Sequence, residues 1–372
     1  MDFAYSQEQR MITDSLRRVM SEGWTFDKRR TRFAEGKLDR DAWTSLAELG
    51  VAGLMVPQAY GGFSESTATM LAVHQELGRG IVSEPVIASA VMAVTLLAQI
   101  ESEEIKSKWL AAHADGEAII TVAWQEGGER YSQTPTLTKA VANGEGFTLA
   151  GQKRHVWYGA DADAMIVTAD LDGQSALFLV PAQTAGVAVT DFPTFDLSRC
   201  ANVSFEGVAL DRGALLAKGE VAQAIFEKSF DFGVTALCAH ACGAMQYLIE
   251  VTSNYLKTRK QFGQALINFQ VLQHRLADML IQQEMAMSNA YVAAIALAQE
   301  SAPMRAKRVS MAQTEVAKAA RFVGEQAVQL HGGMGVTDEL EVGDYFKRLA
   351  YVDVILGDKN FHLQRAQAMT LA

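Results

Sequence analysis

Cysteine and proline are scarce in this chain, with three and six among 372 residues. Cys200, Cys238 and Cys242 are too few, and odd in number, to form a disulfide framework, and the count suits a reducing compartment. Cys238 and Cys242 share a helical face at i,i+4, and two small thiols in this apolar run read as core residues and not as a metal site. Basic charge is short as well. Lys and Arg number 33 against 43 Asp and Glu, a net charge of -10, which excludes a general nucleic-acid binder but leaves room for one local basic site on an anionic ligand. No apolar run reads as long enough to span a bilayer, and the opening MDFAYSQEQR is no secretory signal. The expectation is a soluble, cytoplasmic protein that meets neither nucleic acid nor membrane.

What is present is a large apolar content, 49% of the chain, enough for two or three packed units. Residues 1–117 read as helices: SQEQRMITDSLRRVM opens with Ser6 as N-cap, DRDAWTSLAELG offers Asp41 as cap and Gly50 as stop, and SESTATMLAVHQELGRG ends in glycine. Residues 118–222 change texture. AIITVAW, DAMIVTA, SALFLVP and NVSFEGVAL are short, β-branched and separated by turn residues, as an antiparallel β domain requires. From 223 to 372 long helices return, one opened by Pro303 and closed by glycines, and the Met- and Ala-rich stretch MLIQQEMAMSNAYVAAIALA reads as bundle core or subunit interface. The fold class is α+β.

Two segments carry candidate chemistry. In RKQFGQALINFQVLQHRLADM, helices meet at a turn around Gly263, and Arg259 and Lys260 are expected in the last turn of the preceding helix, where the dipole favours cations. A planar guanidinium there can grip a pyrophosphate, Gln261 and Gln270 can donate to ribose or phosphate oxygens, and Phe262 can lie against an aromatic ring. Capping and packing would account for the same residues. QLHGGMG, Gln329 to Gly335, adds glycines whose N–H groups can approach an anion with no Cβ in the way, and it equally fits a helix C-cap turn with His331 hydrogen-bonded in it. Neither GxGxxG after a strand nor a Walker lysine occurs here.

Taken together these motifs resemble the acyl-CoA dehydrogenase family of flavoproteins over essentially the whole length. SQEQRM, LAELGVAGLMVPQAYGG, ELGRG, GQKRHVWYGADADAMIV, YLKTRKQFGQALINFQVLQHRLADM and QLHGGMGVTDE fall in family order. The resemblance implies an N-terminal helical domain, a middle antiparallel β-barrel, and a C-terminal four-helix bundle through which subunits tetramerise. It implies FAD bound across a subunit interface, an acyl-CoA thioester beside it, and electron-transfer flavoprotein or a similar acceptor. In the family chemistry a carboxylate takes the α-proton of the thioester while a hydride leaves the β-carbon for the flavin. The positions implied to hold FAD are Arg259, Gln261, Phe262, Gln270, Gln329, Gly332 and Gly333, which in the family reach the ADP half of the neighbouring subunit's cofactor.

The catalytic positions depart from that pattern. The family's base stands in one of two places, which here are Gly357, between Leu356 and Asp358, and Gly233, two residues after Asp231. The flavin loop built on Thr-Glu-Pro and Gly-Ser-Asp becomes WQEGGERYS and keeps only Glu126 from its core, and the Trp-Ile-Thr segment becomes His155–Trp157. What acts across the interface is kept, and what acts in the subunit holding the flavin ring is lost. GDKNFHLQR and VGDYFKRL resemble the small subunits of two-component acyl-CoA dehydrogenases, such as the pimeloyl-CoA dehydrogenase small subunit and bacterial steroid side-chain enzymes. That implies a paralogous partner in a heterotetramer of two chains of each kind. Two readings compete with it: a self-sufficient homotetramer using Asp358, Asp231 or Glu126 as base, and a scaffold that has lost FAD.

Overall fold

The computed structural model describes residues 5–128 and 130–371. Helix α1 (Gln7–Gly23) begins at a complete capping box, the Ser6 hydroxyl accepting from Gln9 N–H while the Gln9 side chain accepts from Ser6 N–H. A short α2 (Phe26–Ala34) follows, then α3 (Arg40–Glu48). The cap of α3 is Asp39 and not Asp41: the Asp39 carboxylate accepts from Asp41 and Ala42 N–H, which places Asp41 inside the first turn. Helix α4 (Thr67–Arg79) starts at Ser66 and is buried along most of its length. A π-helical turn, Ala88–Ala93, leads into α5 (Val94–Leu97), and α6 (Glu103–Ala114) closes this helical part.

Eight strands follow: β1 (Ile120–Ala123), β2 (Lys139–Ala142), β3 (Gly146–Trp157), β4 (Ala164–Leu171), β5 (Gln174–Pro181), β6 (Val187–Pro193), β7 (Arg199–Asp211) and β8 (Leu215–Lys218). They pair in the order β6-β7-β3-β2-β4-β5-β8, with β1 also on β4. Two details differ from the expected antiparallel barrel. β1 and β2 both run parallel to β4, so the sheet is mixed, and among the described residues no pairing joins β6 to β8. The β4–β5 centre is almost wholly buried, while β6 is an exposed edge. β3 shifts register against β7 between Lys153 and Val156, and this bulge carries Arg154 and His155, the latter at φ 52, out of the ladder beside the candidate site.

Helix α7 (Glu220–Thr258) is apolar and long enough, at 39 residues, to cross a membrane by composition, contrary to the sequence reading. It is instead the core of a bundle: 83% of its most apolar window is buried, Cys238 and Cys242 included. A hairpin, β9 (Lys260–Gln261) and β10 (Gln264–Ala265), joins it to α8 (Gln270–Gln299). Helix α9 (Ala302–His331) packs on α7, α8 and α11 (Lys359–Leu371), while α10 (Val342–Tyr351) lies across α9 and α7. Helix α4 rests on α7, so the N-terminal helices and the bundle share one core.

Candidate functional site

Helix α7 stops at Thr258, two residues earlier than the sequence suggests. Arg259 has extended backbone (φ -74, ψ 127), and Lys260 lies in β9, so neither sits in the helix's last turn. The chain turns at Phe262 and Gly263, with φ 53 and 82, both left-handed as a two-residue hairpin of type I′ requires. Glycine takes this conformation freely, but phenylalanine does so at a cost. The Phe262 ring recovers little from burial, since it is 90% exposed, and its one ring contact among the described residues is Phe269, edge-on at 6.2 Å. A large apolar side chain held out on a strained turn has the form of a contact waiting for another molecule.

The second segment ends α9. Gly332 takes φ 60, the helix-stop conformation, and leads a single 3-10 turn, Gly332–Val336. A Cβ at Gly332 or Gly333 would meet nothing within 4 Å, so this backbone lies open to solvent. His331 is buried as a turn residue: its Nδ1 pairs with Ala327 O at 2.8 Å, and its ring stacks on Tyr255 at 4.3 Å. Tyr255 lies one turn before Arg259, so this stack ties the helix end that feeds the hairpin to the helix end that feeds the glycine loop. Arg259, Gln261, Phe262, Gln270, Gln329, Gly332 and Gly333 are all exposed. Among the described residues no hydrogen bond or ion pair engages the Arg259, Gln261, Gln270 or Gln329 side chain. The surface holds unspent donors, an aromatic ring and open N–H groups, which suits the diphosphate and ring of a dinucleotide presented from outside the chain.

The two base positions are filled. Gly357 has φ 105, and a Cβ there would lie 2.4 Å from Phe361 Cδ1 and 2.8 Å from His362 Nε2. A Cβ at Gly233 would lie 2.6 Å from Met92 Cγ and 2.7 Å from Met92 Sδ, with Leu356 Cδ1 at 3.4 Å. Leu356 precedes one position and packs on the other, so the fold brings both to one chamber and then closes it. Ring contacts run through the same space: Trp124 on Phe230 at 5.5 Å, Phe230 on Phe361 at 6.1 Å, and Phe361 on Tyr131 at 5.6 Å. Tyr131, at φ 65, also donates its hydroxyl to Val354 O at 2.7 Å. Beside Trp157, itself buried, about 10 Å³ remains between Met92, Thr121, Trp124, His155 and Leu356, room for roughly one water. A flavin ring does not fit there.

The three carboxylates named as substitutes, Asp358, Asp231 and Glu126, are each engaged. Asp358 caps α11, its Oδ1 accepting from Phe361 N–H at 2.9 Å and its carbonyl from His362 N–H. Asp231 is fully buried between Arg305 Nε at 2.8 Å and Arg365 Nη1 at 2.7 Å, a triad that joins α7, α9 and α11. Glu126 accepts from Thr136, Leu137 and Thr138 N–H and from the buried Lys153 ammonium at 2.7 Å. Burial alone would raise its pKa, but Lys153 and the backbone donors outweigh that and hold the carboxyl down at about 2. Burial brings Lys153 to about 8 even though Glu126 pulls the other way. Glu126 thus pins the remodelled loop and is too acidic to take a proton. At the chamber mouth a cleft of about 220 Å³ opens between Gly127, Gly128, Arg130, Arg154 and His155, and burial followed by the two guanidiniums keeps the imidazole below its usual pKa.

Sequence reasoning missed the residues that do the filling: Met92 is one apolar residue in an apolar run, and Tyr131 and Phe361 are single aromatics in polar stretches, none of which carries a mark of the cavity it closes. Arg305 and Arg365 gave a fainter sign, two cations on helices that must pack against the bundle.

A helical N-terminal part, a mixed sheet and a helical bundle define the class: a flavoprotein dehydrogenase fold. The family model for the acyl-CoA dehydrogenase N-terminal domain matches residues 6–117, and that for the C-terminal domain matches residues 224–370. The chain is 30% identical over 338 residues to acyl-CoA dehydrogenase FadE27 of Mycobacterium tuberculosis, covering 89% of this chain and 88% of that one. It is 27% identical to the mitochondrial short-chain specific acyl-CoA dehydrogenase of Sus scrofa, covering 88% and 80%. Among solved structures it matches the ChsE4-ChsE5 complex of Mycobacterium tuberculosis with TM-score 0.91 at 26% identity, over 100% of this chain and 99% of that one. It also matches a Tcur3481-Tcur3483 steroid ACAD variant with TM-score 0.89 at 26% identity, over 98% of each chain. The chain belongs to the acyl-CoA dehydrogenase family, FAD-dependent oxidoreductases that act on CH–CH groups.

Proposed function

We propose that this chain is the cofactor-gripping subunit of a two-component acyl-CoA dehydrogenase. One observation carries the reading: both positions for a catalytic glutamate are glycines wedged against packed side chains, while all seven positions that would reach a neighbour's FAD are exposed and their polar side chains unspent. A paralogous acyl-CoA dehydrogenase chain then supplies the flavin seat and the base, in a heterotetramer of two chains of each kind. The matches to the ChsE4-ChsE5 complex and to the Tcur3481-Tcur3483 enzyme support this arrangement.

In this scheme Arg259 would hold the diphosphate of the cofactor, Gln261, Gln270 and Gln329 would donate to ribose or phosphate oxygens, and Phe262 would lie against an aromatic ring. FAD, when bound, accepts the electrons that leave the acyl chain. The α-proton passes to a carboxylate of the partner, since among the described residues no carboxylate is both free and at the chamber. Because this chamber is filled, the acyl group of the acyl-CoA is chosen by the partner's pocket. Re-oxidation falls to electron-transfer flavoprotein or a similar acceptor.

Expression alone and with a paralogous chain tests the reading. Alone, the chain should be colourless and inactive. With its partner it should co-purify yellow, bind one flavin per unlike pair, and turn over acyl-CoA. Flavin and turnover in the chain alone would refute the proposal, and absence of flavin in both preparations would favour a scaffold. Within the complex, Arg259→Ala should weaken FAD by about 2–5 kcal/mol as one buried charge-assisted contact is lost.

A further inference from the structure

Helix α2 is an anomaly. A surface helix normally docks by an apolar stripe, yet the buried side chain of Phe26–Ala34 is an arginine, Arg29. Two adjacent guanidiniums hold this helix in place of a core, and both reach the same short stretch, residues 338–344, directly after the glycine loop. Arg29 Nη2 meets Glu341 Oε2 at 3.1 Å, while its Nη1 donates to Trp24 O at 2.6 Å. Arg30 makes a two-pronged pair with Asp344, Nε and Nη2 at 3.3 and 3.1 Å, and also donates to the Asp338 carbonyl at 2.9 Å and carboxylate at 3.1 Å. Asp344 is 1% exposed, so this is no loose surface pair screened by salt. From α7, the Tyr247 hydroxyl donates to the other oxygen of Glu341 at 3.1 Å.

The glycine loop is therefore fixed at two ends. His331, stacked on Tyr255, holds its front, and the acidic stretch clamped by Arg29 and Arg30 holds its rear. Between the anchors the backbone at Gly332 and Gly333 has no support from neighbouring atoms within 4 Å of where a Cβ would stand. Gly335 is buried against Val328, so the unsupported part is Gly332–Gly333, and the direction of its N–H groups depends on what holds the loop on either side.

We propose that Arg29 and Arg30 are positioning residues for the cofactor grip. They hold the rear of the loop so that Gln329, Gly332 and Gly333 face the neighbour's FAD already in place, and they couple the N-terminal helices to cofactor affinity. This rests on the reading that the loop holds the ADP half of FAD in trans.

The test uses the purified two-chain complex stripped of flavin and titrated with FAD. Arg30→Leu should raise the Kd for FAD about tenfold, while the kcat reached at saturating FAD stays within about twofold of the parent. Arg30→Lys should fall between, since one ammonium cannot span Asp338 and Asp344 as a planar fork does. Gln329→Ala should cost less in the Arg30→Leu background than in the parent, as residues acting through one loop do not add. Asp338→Asn removes only the exposed arm of the clamp and should raise the Kd about twofold to threefold, which keeps the test open if Arg30→Leu fails to assemble. A clamp that is structural and nothing more would lower the melting temperature and leave the Kd for FAD unchanged; that result overturns the proposal. A parent complex that binds no FAD removes the underlying reading as well, so the two failures are told apart.

Discussion

Asp358 stands one position from a family base site, and its carboxylate already has a task at the start of α11. Asparagine caps a helix about as well as aspartate, so Asp358→Asn removes the charge and keeps the cap. Turnover of the assembled enzyme should stay within about threefold of the parent, whereas losing a general base costs about 10²–10⁴-fold. A loss of that larger size, with flavin content intact, would make Asp358 the base. Gly357 gives the complementary case. A glutamate there meets Phe361 and His362 and must hold φ 105, penalties of about 1–3 kcal/mol each. Gly357→Glu should therefore lower the melting temperature and create no dehydrogenase activity in the chain alone; activity gained by that single change would show the chamber to be open. The loss of the glutamates was plain in the sequence. That the vacated space is packed, and the change thus built into the core, was not, because the residues filling it come from four separate stretches of chain, around Met92, Tyr131, Trp157 and Phe361.

At the level of elements, legibility followed the range of the interaction. The α1 cap at Ser6 and the stop at Gly332 are local, and both stand where the sequence put them. The α3 cap slipped by two residues because DRD offers two aspartates and only the backbone decides which turns first. The end of α7 was misplaced because KTRKQ suits a helix, and the hairpin after it has two-residue strands too short to show any alternation. The parallel pairings of β1 and β2 with β4 join residues tens of positions apart, and no local pattern announces them. The hairpin also separates stability from function. Phe262→Gly puts the residue that φ 53 favours at the turn and removes a ring that is 90% exposed. It should leave the fold as stable or gain about 1 kcal/mol, yet weaken FAD in the two-chain complex. Thermal melting and FAD titration on the same sample check both halves. A destabilised fold with unchanged FAD binding would mean that the ring packs within its own chain.

For the whole molecule, the decisive feature is how many histidines the common core holds. His74, His113, His240 and His362 are each no more than 1% exposed. Burial lowers His74 and His362 to about 3 and His113 to about 4. His240 is pushed well below its ordinary value by burial and then by Arg348, whose Nη1 lies 3.5 Å from its Nε2. In the unfolded chain each titrates near about 6.5. Folded pKa values below unfolded ones mean that the unfolded state binds more protons in acid, so the stability is present above about 6.5 and drains away as pH falls toward the folded values. Each group removes about 1.4 kcal/mol per pH unit across that window, and four together remove on the order of 5 kcal/mol per unit, against a total stability of about 5–15 kcal/mol. Glu126 adds its share only below about 4.5, where its unfolded form begins to protonate while the folded carboxylate, held at about 2, does not. These histidines sit where α4 meets α7, in α6, and where α11 closes the packed chamber, so acid should loosen the junctions between parts and not one local corner. The melting temperature followed by circular dichroism should hold level from about pH 8 to 7, fall steeply below about pH 6.5, and reach room temperature one to three units lower. A curve that stayed flat down to about pH 4.5 would show that at least three of the four imidazoles gain protons in the folded state and are not sealed in the core.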